Sequence, residues 1–184
     1  MWCSERQGPL ENAIGAEAGM FNGRAELTCF CPCCRRKGRN LGINVERARE
    51  DLKVLRQWAQ TVSKGPRPAD SYFVTFWRLL IEYPEILAWE KLRTDCQRDM
   101  YSFLYGEVKS IRPDLPVGWH IYHNNSFSPF LRAEQDYKKF DGIADFLKIV
   151  MYNNCAGPRL AQYIHNVRST VFGDLPVEQV LAFH

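Results

Sequence analysis

The sequence predicts an α/β fold in which parallel strands alternate with helices, as in part of a TIM (β/α)8 barrel. Two apolar runs, residues 117–123 and 146–152, each lead into an Asn-Asn pair, and a helical stretch with an Asp-Gly turn lies between them. Strands that alternate with helices favour a parallel sheet with right-handed crossovers. The chain has 184 residues, whereas a complete barrel usually needs about 250. We therefore expect a single partial barrel domain over residues 1–184, an internal fragment of about three β/α units.

Composition narrows the class of protein. Hydrophobic residues make up 46% of the chain and aromatic residues 13%, which argues against disorder. The net charge of +3 indicates no general polyanion-binding surface, and no apolar run approaches the roughly 20 residues that span a bilayer. The N-terminus lacks the pattern of a signal peptide. We expect a cytoplasmic protein without a membrane or nucleic-acid partner, and leave a homo-oligomer open.

The first half of the chain favours helices. Residues 1–28 show no clear amphipathic period. Asn44 is a plausible N-cap, and residues 65–68, Gly-Pro-Arg-Pro, end the helix that follows it. A second helical region spans roughly residues 71–110, and Pro84 divides it. The first of these helices is predicted by apolar residues at spacings of three and four: Val45, Ala48, Leu52, Leu55, Trp58, Ala59 and Val62.

The second half predicts the β-α-β unit. Ser128-Pro129 opens a helix between the two strands, Asp141-Gly142 turns into the second strand, and Gly157-Pro158 precedes a last helix. Alternation along each strand leaves one apolar face. The opposite face carries four polar or aromatic residues, which we expect to line a barrel interior: His120, Tyr122, Lys148 and Tyr152.

The strand ends predict a substrate-binding rim. Ligands of parallel α/β folds bind at the carboxyl ends of the strands. Amide and aromatic side chains suit hydroxyl-rich ligands, although Asn-Asn pairs are also common in turns. The candidate binding residues are His120, Tyr122, His123, Asn124, Lys148, Tyr152, Asn153 and Asn154.

Four of the seven cysteines lie within residues 29–34, inside a Cys-rich insertion at about residues 24–40. Cys29, Cys31 and Cys34 form Cys-x-Cys-x-x-Cys, a spacing that lets one turn supply several zinc ligands. The clustering favours thiolate metal binding in a reducing compartment, with a structural zinc ion as cofactor. The alternative is a group of small buried thiols without metal. Candidates for a fourth ligand are Cys3, Cys33, Cys155 or no residue of this chain.

Two further charged segments each allow a functional and a purely structural interpretation. Glu5 is followed by Arg6 and a Gly-Pro turn, which suits an acid held at a strand end with a substrate-binding arginine beside it. A surface ion pair is the commoner fate of such a glutamate. The basic run of residues 35–39 is compatible with a zinc-dependent nucleic-acid module, but a solvated helix face fits better because no finger spacing follows.

Three segments together resemble a known family: residues 4–9 (Ser-Glu-Arg-Gln-Gly-Pro), the cysteines at 29, 31 and 34, and residues 42–49. They look like the middle of uncharacterised bacterial glycoside-hydrolase-like (β/α)8 barrels, similar in outline to family 42 β-galactosidases. In that family the acid/base glutamate closes the fourth strand and a zinc-binding Cys-x-Cys-x-x-Cys follows it. The resemblance implies that Glu5 is the catalytic acid/base and that Cys29, Cys31 and Cys34 bind zinc.

Two departures from the family limit this expectation. Ser4-Glu5 stands where the family has Asn-Glu, and the nucleophile of the seventh strand would fall outside this chain. Since glycosidases need two carboxyl groups, we expect a carbohydrate-binding or carbohydrate-hydrolysing segment that is inactive alone. The alternative is a non-catalytic, zinc-stabilised binding or interaction module.

Overall fold

The structure is a computed structural model that describes residues 8–15, 27–121, 128–149 and 157–182, of which 65% are helical. Within those ranges lie eight α-helices, one 3-10 helix and two short β-strands. In chain order they are α1 (Pro9–Ile14), α2 (Pro32–Asn40), α3 (Val45–Val62), α4 (Tyr72–Glu82), α5 (Glu85–Ile111), β1 (Gly118–Ile121), α6 (Pro129–Glu134), a 3-10 helix (Tyr137–Phe140), β2 (Phe146–Ile149), α7 (Pro158–Arg168) and α8 (Val177–Ala182).

Helix α3 confirms the periodicity of the sequence. The side-chain oxygen of Asn44 accepts a hydrogen bond from the backbone N–H of Arg47 at 3.0 Å, which caps the first turn. The buried residues of α3 recur at intervals of one helical turn, as an amphipathic helix requires: Val45, Ala48, Asp51, Leu52, Leu55 and Ala59.

Pro84 separates α4 from α5, as predicted. Only the first turns of α5 are buried, and Trp89 is fully enclosed there. Farther along the helix, Phe103 is 52% exposed and Leu104 is 40% exposed. Helix α5 therefore joins the main core near its start, and farther along it contacts the β-α-β unit, where Tyr101 stacks on Trp119 with ring centroids 4.4 Å apart.

The main core lies where α1, α2 and α3 pack against the start of α5. Helices α4, α7 and α8 add further buried side chains to the same cluster. Helix α1 was not predicted, because six residues are too few to show a helical period. Among the described helices, none combines the length and the apolar character that crossing a bilayer requires.

The two strands form the predicted β-α-β unit. Strands β1 and β2 pair in parallel, with Gly118 opposite Phe146 and His120 opposite Lys148. Helix α6 and the 3-10 helix lie in the connection between them. Asp145 fixes the entry to both strands, because its carboxylate accepts the N–H of Val117 at 2.7 Å and its own N–H donates to the carbonyl of Val117 at 2.7 Å.

The prediction of a partial TIM barrel with alternating strands and helices is wrong. In the described residues the sheet has two strands of four residues each, and α4 and α5 follow one another without a strand between them. His120 and Lys148, predicted to face a barrel interior, are exposed to solvent. Phe146 and Ile149 are also about half exposed, so the described residues do not form a second layer over β2. A mostly helical fold replaces the α/β barrel.

Candidate metal centre

Three cysteine side chains converge where helix α2 begins. Cys31 is the N-cap residue of α2, Pro32 is the first helical residue, and Cys34 lies in the first turn. The sulfur atoms of Cys31 and Cys34 are 3.6 Å apart. The backbone N–H of Cys31 donates to the sulfur of Cys29 at 3.4 Å, and all three sulfur atoms lie within 4.8 Å of one another. These cysteines are therefore placed to hold a metal ion, as the sequence predicts.

The local structure explains this convergence. Proline suits the first position of a helix, because its fixed φ matches the helix and its missing N–H would have no intrahelical partner. Pro32 thus fixes the start of α2 directly after Cys31. Cys31 and Cys34 then stand at the N-cap and third helical positions, where side chains on one turn meet. The extended backbone at Cys31 (φ −61°, ψ 162°) turns the preceding residues back toward this turn.

The distances suit a tetrahedral thiolate site. A zinc–sulfur bond of about 2.3 Å places two sulfur ligands roughly 3.8 Å apart in ideal tetrahedral geometry. The separation of 3.6 Å between the Cys31 and Cys34 sulfurs is close to that value. No two of the three sulfur atoms are more than 4.8 Å apart. The sulfur of Cys29 would therefore have to move inward by no more than about an ångström to become the third ligand.

Hydrogen bonds favour the thiolate form at this position. The backbone N–H of Cys34 is the largest influence on Cys31 and, with smaller contributions from Cys29 and Cys33, lowers the pKa of the Cys31 thiol to about 7. Partial burial opposes the shift. Metal ions bind the thiolate rather than the thiol, so a lower pKa reduces the competition from protons.

An aromatic contact holds the cysteine segment on the helical core. Phe30, between two of the cysteines, stacks on Trp89 of α5 with ring centroids 4.4 Å apart and planes 14° apart. The guanidinium carbon of Arg49 lies 5.9 Å from the centroid of the Phe30 ring. Cys34 itself is 5% exposed and belongs to the core. The three sulfur atoms are therefore supported by packing against α3 and α5.

The described part of the chain brings no fourth metal-ligating side chain to the three cysteines. Cys33 is adjacent in sequence, but its sulfur does not join the cluster, and the same holds for Cys96 on α5. The other two sequence candidates, Cys3 and Cys155, lie outside the described residues.

Only two residues of the predicted carbohydrate site lie in the described part of the chain. His120 and Lys148 stand opposite each other in the register of β1 and β2, and both are exposed. The remaining residues of that prediction lie outside the described residues: Glu5, Arg6, Tyr122, His123, Asn124, Tyr152, Asn153 and Asn154.

A buried carboxyl pair, not predicted from the sequence, joins three helices. Glu90 of α5 accepts the N–H of Leu10 at 2.8 Å, and Glu134 of α6 accepts the N–H of Gly8. Gly8 is the N-cap of α1 and offers no side chain, so the two glutamates cap that helix from elsewhere in the chain. A Cβ atom on Gly8 would collide with the Glu90 carboxylate, which explains the glycine.

Burial of the two carboxyl groups side by side favours a proton held between them. As two carboxylates, their Oε1 atoms would be buried without a hydrogen-bond donor. A proton on Glu134 supplies that donor to Glu90. Desolvation, followed by the charge of Glu90, raises the pKa of Glu134 to about 9, and desolvation raises the pKa of Glu90 to about 7.

A third buried carboxyl group lies beside this pair. Glu11 of α1 is 1% exposed and accepts a hydrogen bond from the hydroxyl of Ser128 at 2.6 Å. Ser128 in turn accepts the N–H of Leu131 at 3.2 Å and caps α6. One signal in the sequence pointed here: Glu90 shares its helix face with Ile86 and Arg93, so a carboxylate stands on the buried side of α5.

Comparisons of the chain with protein-family models, with curated proteins and with solved structures each found no match. The resemblance to glycoside-hydrolase-like barrels stays a prediction.

Proposed function

We propose that this protein is a zinc-stabilised helical interaction module. The observation that carries the proposal is the convergence of three cysteine sulfur atoms, within 4.8 Å of one another, at the first turn of α2. Thiolates are soft ligands, and a tetrahedral arrangement of sulfur favours zinc over hard cations.

The donor set supports a structural role for the ion. Three thiolates more than neutralise the charge of a divalent cation, which weakens its ability to polarise a substrate. Cys34 belongs to the core and Phe30 stacks on Trp89, so a bound ion would fasten the segment of residues 29–34 to α2 and α5. Its binding free energy would then add to the stability of the helical core.

Zinc titration of the metal-free chain tests this proposal. We expect one zinc ion per chain, measured by mass spectrometry of metals after gel filtration. Zinc at about 100 times its dissociation constant should raise the free energy of unfolding by about 2.7 kcal/mol. Loss of a residue that merely supports a metal ligand weakens metal binding by up to about 100-fold. Cys29→Ser removes a ligand itself, so it should weaken zinc binding by more than that.

Cys96→Ser is the matched control, because Cys96 is a half-buried free thiol on α5 outside the cluster. It should bind zinc as the wild type does. Equal zinc affinity in Cys29→Ser and Cys96→Ser would contradict the proposed site. Cys33→Ser reports separately whether the neighbouring thiol serves as a fourth ligand.

An exposed apolar stripe on α4 supports the interaction half of the proposal. It consists of Phe73, Val74, Trp77 and Ile81, which are 52%, 43%, 51% and 67% exposed. Phe73, Trp77 and Ile81 are four residues apart and lie on one face of the helix. Contiguous exposed apolar patches mark interaction sites.

The proposed partner of the stripe is a second copy of this chain. Phe73 and Ile81 are spaced equally on either side of Trp77, so two antiparallel α4 helices related by a twofold axis would place Trp77 against itself and Phe73 against Ile81. Light scattering during gel filtration should show a dimer for the wild type and a monomer for Trp77→Lys. A wild-type monomer at millimolar concentration would contradict the dimer and leave the zinc site untouched.

The buried carboxyl pair does not supply the carbohydrate chemistry predicted from the sequence. Hydrolysis of a glycoside needs two carboxyl groups that flank the sugar. Glu90 and Glu134 instead hydrogen-bond to each other, and Glu90 is 6% exposed, so no sugar reaches between them. The prediction for Glu5 is independent of this pair.

A further inference from the structure

We infer that Cys31 and Cys34 form a reversible disulfide, and that its formation expels the metal ion from the cysteine cluster. The inference is a redox modification site within the proposed zinc site, and its second half rests on that proposed function. It follows from the placement and the burial of the two sulfur atoms.

The two sulfurs are already close enough for this bond. They are 3.6 Å apart, and a disulfide bond of about 2.05 Å requires them to approach by about 1.6 Å. The backbone of α2 fixes both residues on one turn, so rotation of side chains is sufficient and the helix stays intact. None of the described cysteines takes part in a disulfide in this structure.

The two thiols differ in access to solvent. Cys31 is half-buried at the N-cap, whereas Cys34 is 5% exposed and packs in the core. A disulfide molecule from solution can therefore reach Cys31 but not Cys34. Cys31 is the attacking group, and Cys34 is the resolving group that a mixed disulfide on Cys31 would meet next.

The oxidant is a small disulfide such as oxidised glutathione. The Cys31 thiolate attacks one of its sulfur atoms, forms a mixed disulfide and expels the first glutathione thiolate. Cys34 releases its proton to solvent and attacks the Cys31 sulfur, which forms the intramolecular disulfide and expels the second glutathione thiolate. The two protein thiols are oxidised by two electrons, and one glutathione disulfide is reduced to two thiols.

Oxidation removes two of the three ligands from the metal. A disulfide sulfur no longer carries the negative charge that binds zinc. Cys29 alone would then remain of the group. One sulfur ligand does not retain a zinc ion that three or four ligands hold, so the disulfide and the metal exclude each other.

Trapping of the mixed disulfide in the metal-free full-length chain tests the pair. Cys34→Ser should accumulate one glutathione on Cys31, located by peptide mass spectrometry, because the resolving thiol is missing. Cys31→Ser should react at position 34 at least about 10-fold more slowly than the wild type forms its disulfide, because Cys34 is buried. Cys33→Ser, the matched control, should form the Cys31–Cys34 disulfide at the wild-type rate.

The opposite results would overturn the inference. They are a wild-type disulfide that joins Cys33 or Cys29 to another cysteine, or a Cys34→Ser chain that carries its glutathione elsewhere. Circular dichroism of each variant verifies that the helices persist.

A second experiment separates this inference from the zinc site. Oxidised glutathione added to the zinc-loaded chain should release zinc, detected by a chromogenic chelator, in step with the disulfide, and a reductant should restore binding. Zinc retained after the disulfide forms would overturn the metal switch while the zinc site stands. A chain that binds no zinc before oxidation would instead refute the proposed function and the metal switch. The Cys31–Cys34 disulfide would then stand or fall on the experiment with the metal-free chain.

Discussion

Replacing Glu134 by Gln should remove part of the pH dependence of stability. Glu134 has an ordinary pKa of 4.5, and burial beside Glu90 raises that pKa to about 9 in the folded protein. Between these values the folded protein keeps a proton that the unfolded chain has released. The free energy of unfolding therefore falls as the pH rises, and the stability present below the unfolded pKa is lost by the folded pKa.

The size of the effect follows from the number of protons retained. Each proton that the folded protein retains and the unfolded chain has lost lowers the free energy of unfolding by about 1.4 kcal/mol per pH unit. Glu90 adds a second slope only up to its pKa of about 7. Between about pH 7 and about pH 8, loss of the Glu134 proton should cost the wild type about 1.4 kcal/mol. The Cys31 thiol, whose pKa is lowered to about 7, adds a slope of the opposite sign in both proteins. Gln keeps a donor for Glu90 and an acceptor for Gly8, so the variant should lack only the Glu134 contribution, and its slope should be more positive than that of the wild type by about 1.4 kcal/mol per pH unit.

Urea unfolding followed by circular dichroism over a pH series measures this difference. Glu107→Gln, which removes an exposed carboxyl group from the far part of α5, is the control and should keep the wild-type slope. The reasoning would be refuted by a Glu134→Gln variant with the same slope as the wild type between about pH 7 and about pH 8. It would also be refuted if that variant were the less stable protein at the upper end of the window.

Three further substitutions test the packing and the caps, each measured by urea or thermal unfolding. Gly38→Ala would place a Cβ 2.8 Å from the Trp89 ring and should destabilise by about 1–3 kcal/mol; a more stable variant would contradict the close packing of α2 on α5. Asn44→Ala should cost about 0.5–2 kcal/mol by removing the cap of α3, whereas Asn44→Asp should not. Ser128→Ala should cost about 1–3 kcal/mol, because it removes the hydroxyl that donates to the buried Glu11 carboxylate; a neutral result would contradict a stabilising role for this bond.

Features set by neighbouring residues could be predicted from the sequence. The bounds of α3 follow from Asn44 and from apolar residues a few positions apart, and Pro84 divides the next helical region by local sterics. The three metal-ligand candidates lie within six consecutive residues, so one turn brings them together.

Features set by distant residues could not be predicted. The barrel was inferred from two strands, but the number of strands in a sheet depends on pairing between remote segments, and the described residues contain no third strand. The exposed ends of β2 show that alternation of side chains alone does not establish two covered faces. Glu90 was missed because its partner, Leu10, is 80 residues away.

That distance also determines when helix α1 forms. A helix of six residues is too short to be stable alone, and Glu90 and Glu134 accept the N–H groups of Leu10 and Gly8 that begin it. During synthesis the segment of α1 leaves the ribosome before α5 and α6, yet it must wait until the residue at position 134 has emerged. Helix α1 therefore gains its caps only after the residues of α2 to α5 have been synthesised, and its amide hydrogens should exchange with solvent before those of α3.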